Sequence, residues 1–283
     1  MANEITIDMI KELRERTGVG MNACKNALVE ASGDMDLAIT NLRKSGMASA
    51  VKKEGRATNE GQIGSFEGSE TVALVEVNAE TDFVVKNDKF QEFVKSLAEQ
   101  AAKSNPASLD AFLKEPYSKD QSMTVDEFRA VLVQTIGENI QVRRVQAFPK
   151  KGDHSIGIYS HLGGKILVTV EIAGQGEEKL AKDIAMHIAA ANPQFLSPAS
   201  VPQDVLNHEK EIVRSQVPQD KPDAMKEKIV EGKLQAFFKE QCLTEQPYIR
   251  DDKMSVAQLV QARGKESGKA LAIASFTRWD VGR

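Results

Sequence analysis

The sequence predicts an α+β fold. Two observations carry that reading: a strand-strand-helix unit occurs twice, and residues 1–46 ahead of it show helical apolar spacing. A third is a change near residue 198 to charged helical stretches with sparse apolar positions, the pattern of an inserted antiparallel helical hairpin.

Residues 1–46 read as three short helices. Met9, Ile10 and Leu13 make the first apolar stripe, which Gly18 and Gly20 end. Met21, Cys24, Ala27, Leu28 and Ala31 make the second, stopped by Gly33. Asp34 is placed to cap a third helix that turns Ala38, Ile39 and Leu42 inward before Gly46. Residues 47–60, with Lys52-Lys53-Glu54-Gly55-Arg56, are charged and aperiodic and read as a linker, helical at most at its start.

A first core lobe, 61–145, opens with Gly61 to Phe66 turning into Val72 to Val77, a β-hairpin, followed by a helix carrying Phe90, Phe93, Val94 and Leu97. A second lobe, 146–283, repeats the design. Ser155 to Tyr159 turns through Gly163-Gly164 into Ile166 to Ile172, and a helix follows with Leu180, Ile184, His187 and Ile188. Both helices run into Asn-Pro, at Asn105-Pro106 and Asn192-Pro193, where proline blocks continuation. Between the lobes, residues 107–125 read as a polar surface excursion. Phe128 to Ile136 then form a helix stopped by Gly137, and Ile140, Val142 and Val145 a strand. The hairpin, about 198–241, has Leu206, Ile212 and Val213 on one arm and Met225, Ile229 and Phe237 on the other, punctuated by Pro218 and Pro222. Leu271 to Trp279 is strand-like again.

The lobes differ in one place. Val77 to Asn105 spans 28 positions and Ile172 to Asn192 spans 20, and the excess is assigned to the stretch between strand and helix that holds Thr81-Asp82-Phe83-Val84. Two readings of that stretch stand side by side. Phe83 is a core residue and Asp82 a helix cap or turn former, or an acid and an aromatic wedge are mounted on an elaborated lobe to act on a partner.

Composition narrows the function. At 283 residues the chain can hold two or three domains, and 41% apolar with 28% charged residues is ordinary for a soluble globular protein. A net charge of −4 argues against a bulk grip on nucleic acid. The basic pairs Arg143-Arg144 and Lys150-Lys151 leave an RNA-binding module as an alternative, although such pairs more often form a solvated face. Cys24 and Cys242 can make neither a zinc cage nor a secreted disulfide framework, which points to a reducing, cytoplasmic setting. Met1-Ala2-Asn3-Glu4 does not begin a signal peptide, and no apolar run is long enough to span a membrane.

Enzyme chemistry finds no support. Gly163-Gly164-Lys165 misses the phosphate-loop pattern, since Tyr159 holds the first glycine's place and Ile166 follows the lysine; a hairpin turn explains the glycines. His154, His161, His187 and His208 show no metal-ligand spacing, and His187 reads as a core histidine. A small-molecule enzyme would need convergent titratable residues in a deep pocket, and the sequence offers no such set. No cofactor and no metal are expected.

Several blocks together resemble the bacterial elongation factor Ts family over nearly the whole chain: Ile10 to Met21 with Cys24-Lys25 and Ala27-Leu28; Thr81-Asp82-Phe83-Val84; Ile136 to Ile140 with Arg143-Arg144; Tyr159-Ser160-His161; Ile184 to His187; and Lys226 to Lys233. The resemblance implies a ubiquitin-associated-like, partner-binding domain at 1–46. It implies a guanine nucleotide exchange factor, not an enzyme, that binds elongation factor Tu in its GDP-bound and nucleotide-free forms, with no direct nucleotide binding. By the same resemblance Phe83 would wedge between helices of the GTPase beside its magnesium site, and Asp82 would hold the displaced elements. Thr81 and Val84 would shape the loop, and Lys25, Ile136, Gly137 and His161 would make further partner contacts. Two departures limit what the resemblance implies: the C-terminal helical module of some members is missing or much reduced after Trp279, and the surface segment near Asn105 to Met123 is longer than in compact members. Asn78-Ala79-Glu80 in place of the Asn-Cys-Gln of some members is expected to be tolerated.

Overall fold

The computed structural model describes residues 5–217 and 222–283. The starting Met1-Ala2-Asn3-Glu4 and Pro218 lie outside the described residues. The chain is mixed helix and antiparallel sheet, so the α+β expectation is met. It divides into two compact units: Met1–Lys150 with Gly163–Lys165 and Asp280–Arg283, and Lys151–Leu162 with Ile166–Trp279.

The first unit begins with α1 (Ile7–Thr17), α2 (Met21–Glu30) and α3 (Met35–Lys53). Thr6 and Asp34 cap α1 and α3 by accepting the backbone N–H groups of Met9 and Leu37. Leu13, Cys24, Leu28, Ala38 and Leu42 fill the space between the three helices, together with Val131 from further along the chain. The expected stop at Gly46 is overturned, because α3 runs on to Lys53. Gly46 lies against α7 (Val125–Ile136), where an added Cβ would come within 3.4 Å of the Ala130 carbonyl oxygen. The glycine serves a close helix crossing rather than an end. Half of the supposed linker is therefore helix, and Glu54 beyond it accepts hydrogen bonds from Asn139 and Gln141.

The sheet of this unit has the order β1-β2-β5, from β1 (Glu60–Glu67), β2 (Thr71–Ala79) and β5 (Ile140–Pro149). Ala73, Val75, Val77 and Ala79 of β2 join one core with Phe90, Phe93, Leu97 and Ala101 of α5 (Asp88–Ser104). The stretch read as a surface excursion is a correction too. It forms α6 (Leu109–Lys114) and a small hairpin of β3 (Pro116–Tyr117) and β4 (Asp120–Thr124), and it buries Phe112 and Tyr117 completely or nearly so. Tyr117 stacks on Phe128 with ring centroids 4.2 Å apart and shares a 2.6 Å hydrogen bond with Ser96. Two large aromatics anchor a segment whose average polarity suggested solvent.

The second unit carries the sheet β10-β7-β6, built from β6 (His154–His161), β7 (Ile166–Ala173) and β10 (Ala272–Asp280), with α8 (Glu178–Ala191) against it. β8 (Pro247–Tyr248), β9 (Asp251–Ser255) and α11 (Val256–Ser267) complete the unit. The order hairpin, helix, small hairpin, helix, strand is the same as in the first unit, down to detail. The helices α7 and α11 both open with a capping box, Thr124 with Glu127 and Ser255 with Gln258, and both end at a left-handed glycine, Gly137 and Gly268. α5 and α8 both end at a left-handed asparagine, Asn105 and Asn192.

Between α8 and β8 stand α9 (Gln203–Ser215) and α10 (Asp223–Gln241). Val213, Val217 and Val230 form their seam, with Ile229 packed alongside. Ile212 and Met225, expected on that seam, are exposed. No helix among the described residues is long and apolar enough to cross a membrane.

Candidate partner-binding site

The segment after β2 turns into α4 (Asp82–Val85), a single helical turn. Its cap is Thr81 rather than Asp82: the Thr81 hydroxyl accepts the Val84 N–H at 3.4 Å. Alternate residues then part company. Val84 is buried in the β2–α5 core, while Phe83 is 80% exposed, the most exposed of the large apolar side chains among the described residues. The reading of Phe83 as a core residue is thereby overturned. A ring left in water at the end of a well-packed lobe costs hydrophobic free energy that the fold does not recover by itself.

Asp82 points its carboxylate at Lys86, one turn on, at 2.7 Å. That hydrogen bond holds the Asp82 carboxyl below the usual range, and an aspartate is ionised at neutral pH in any case, so the tip carries a carboxylate paired with Lys86 beside an apolar ring. The insertion is smaller than the length difference implied. Residues 80–87 join β2 to α5 and residues 174–177 join β7 to α8, while α5 is longer than α8, 17 residues against 14.

The turn after α7 reaches this tip. Glu138 accepts the Thr81 N–H at 3.0 Å and the Thr81 hydroxyl at 2.8 Å. In return Glu80 accepts the Asn139 N–H at 2.6 Å. Thus Thr81 to Val84 and the Ile136–Gly137 corner, half-buried and exposed respectively, meet through Glu138. Neither Glu80 nor Glu138 was singled out from sequence. The signals for Glu138 are that it follows the glycine that stops α7 and lies within the Ile136 to Ile140 block of the resemblance.

The remaining expected contacts are placed elsewhere. Lys25 is exposed on α2, and Val29, four residues on and 57% exposed, shares its face. His161 ends β6 in the second unit, with its Nδ1 3.1 Å from the Tyr159 hydroxyl. Beside it Leu162 is exposed with φ of 51°, a backbone conformation unusual for leucine. Among the described residues no group of His, Cys, Asp and Glu is arranged to hold a metal ion.

The sequence model of the family described as Elongation factor TS matches residues 80–283. The chain is 59% identical over 280 residues to Elongation factor Ts of Protochlamydia amoebophila (strain UWE25), covering 99% of both chains. It is 45% identical over 281 residues to Elongation factor Ts of Chlamydia felis (strain Fe/C-56), again covering 99% of each. The chain belongs to the elongation factor Ts family. Membership places it among the translation elongation factors of protein biosynthesis. The family match begins at Glu80, so it includes the exposed tip, the Gly137 corner and the whole second unit.

Proposed function

We propose that this chain is a guanine nucleotide exchange factor that binds elongation factor Tu carrying GDP, disturbs its magnesium site and releases the nucleotide. The observation that carries the reading is Phe83, held out into solvent next to an ionised Asp82 on a tip otherwise well anchored. A GTPase holds GDP largely through magnesium and positive charge on the phosphate oxygens. A ring wedged beside that site and a carboxylate that retains the displaced elements leave the phosphates less neutralised.

The work is done by binding alone. The factor need only prefer the nucleotide-free partner to the GDP form. A preference of about a thousandfold weakens GDP by the same factor through linkage, about 4 kcal/mol. No bond is made or broken by this chain, which acts as a non-enzymatic, cytoplasmic protein without cofactor and without a nucleotide, nucleic-acid or membrane site of its own.

In this reading Thr81, Asp82, Phe83 and Val84 form the working tip, with Ile136 and Gly137 beside it. Lys25 and its neighbour Val29 clasp the GTPase from residues 1–46, acting as a ubiquitin-associated-like domain. His161 and Leu162 contact a further domain of the partner. The two lobes are related copies, and α9–α10 is an insertion in the second.

The test is direct. Elongation factor Tu loaded with fluorescent GDP is mixed with this chain and excess unlabelled GDP, and loss of signal is timed. Release accelerated by orders of magnitude at substoichiometric chain is expected. Release at the spontaneous rate at all concentrations would remove the reading.

A further inference from the structure

The tip of this molecule is not held by helix formation alone. α4 is one turn of four residues, too short to be stable by itself. Val84 anchors the turn in the core, its start is fixed by its cap, and the cap is held from outside. Glu138 uses both carboxylate oxygens on Thr81, Oε2 on the backbone N–H and Oε1 on the hydroxyl. The hydroxyl proton is thereby turned to Glu138, which leaves an oxygen lone pair for the Val84 N–H. Glu138 is fixed in turn. Gly137 ends α7 in the left-handed region at φ of 94° and throws the next residue back toward β2. Asn139 gives its N–H to Glu80 and its side-chain amide to the carbonyls of Glu54 and Arg56. Two carboxylates thus clasp the two segments in opposite directions, each accepting from the other's backbone.

We infer that Glu138 is the positioning residue of the Thr81–Val84 tip: through Thr81 it fixes the angle at which Phe83 leaves the lobe. This rests on the exchange-factor reading and adds the residue outside the tip on which the rate depends. A wedge that arrives preorganised loses no binding energy to ordering itself in the complex. Without the clasp Phe83 samples many directions, and the affinity for the partner, spread over other contacts, changes less than the rate.

The experiment uses the full chain and stopped-flow release of fluorescent GDP from elongation factor Tu. Glu138→Ala is expected to lower the maximal release rate at saturating chain by about tenfold, with the half-saturating concentration nearly unchanged. Glu138→Asp keeps the charge but not the reach and should behave like the alanine variant. Glu138→Gln keeps an acceptor for the Thr81 N–H and should recover part of the rate. In a Phe83→Ala background Glu138→Ala should add no further loss. Multiplied losses would mean that Glu138 touches the partner directly, and an unchanged maximal rate would mean that the tip needs no clasp; either overturns the inference.

Hydrogen exchange at the Thr81 amide separates this inference from the functional reading. It should rise by about tenfold in Glu138→Ala while the urea unfolding midpoint of the chain holds. If the wild-type chain releases no GDP, the exchange-factor reading falls, and an unaltered Thr81 amide would bring down the clasp as well.

Discussion

Phe83 and Val84 are neighbours in the chain and opposites in environment: one ring is 80% exposed, the other side chain is 7% exposed inside the β2–α5 core. Substituting each by alanine should therefore separate function from stability. Phe83→Ala is expected to leave the urea midpoint unchanged and to slow catalysed GDP release roughly thirtyfold, the effect of losing an aromatic hot spot of ~2 kcal/mol. Val84→Ala should cost about 2 kcal/mol of stability through the two methyl groups it removes. A Phe83→Ala variant that exchanges at the wild-type rate ends the wedge.

Gly64 and Gly157 occupy the same register position in the two sheets, opposite Val75 and Val170. In both a helix crosses directly over the glycine. At Gly64 an added Cβ would meet the Val94 side chain at 2.6 Å; at Gly157 it would fall inside the backbone of Ala181 and Lys182. Val94 is buried and β-branched on α5, so it can shift only slightly, and its carbonyl oxygen lies 3.2 Å from the same point, but at Gly157 the nearest atoms are backbone and closer still. Gly157→Ala is thus expected to lose about 3 kcal/mol and Gly64→Ala about 1 kcal/mol, read from urea unfolding. Gly232, mid-helix in α10 with open space around it, should gain instead: Gly232→Ala stabilises by up to about 1 kcal/mol. Equal losses at all three positions would show that helix crossing is not what the two sheet glycines are for.

Much of this architecture is visible in the sequence because it rests on local periodicity. Phe90, Phe93, Val94 and Leu97 announce α5, Asn192-Pro193 announces the end of α8, and the β-branched runs Val72 to Val77 and Ile166 to Ile172 announce both hairpins. What stays hidden depends on contacts distant in the chain. Gly46 has the look of a stop and is a crossing point, because Ala130 lies across from it. Pro116-Tyr117 and Pro247-Tyr248 mark the second half of each lobe, but two-residue strands show no alternation. Thr81-Asp82-Phe83-Val84 is legible as a motif, yet its cap is held by Glu138, 57 positions away, and a hydrogen bond of that span leaves no local trace.

Glu76 is fully buried in β2 and is held by Arg144 of β5 at 2.6 Å and by the Gly282 N–H at 2.9 Å. Taking a carboxylate out of water is affordable only with such partners. Arg144→Ala removes the ion pair together with the Arg144 bond to the Asp280 carbonyl and leaves the Gly282 N–H as the one partner of the Glu76 side chain among the described residues. A loss of about 3 kcal/mol is expected, larger than that from Glu76→Gln, since an amide tolerates burial better than a carboxylate. Urea midpoints of the two variants at neutral pH decide it, and the reverse order would mean that Arg144 contributes packing rather than charge.

His187 supplies a pH dependence. It is buried, its Nε2 donates to Gln246 at 2.9 Å, and its Nδ1 accepts the Ile249 N–H at 3.3 Å. Burial pushes its pKa below the ordinary histidine value of 6.5, against a smaller upward pull from Gln246. The folded state therefore holds a neutral ring while the unfolded chain takes up a proton near pH 6.5. Between the two pKa values the unfolded state binds more protons, so stability is complete above about pH 7 and falls as pH drops through 6.5 toward the folded value. A proton on Nδ1 would also set two donors face to face at Ile249. The urea midpoint should hold steady from pH 8 to 7 and then decline toward pH 5.5. His187→Gln should start lower and show a shallower decline over the same range; a parallel decline would place the titrating group elsewhere in the chain.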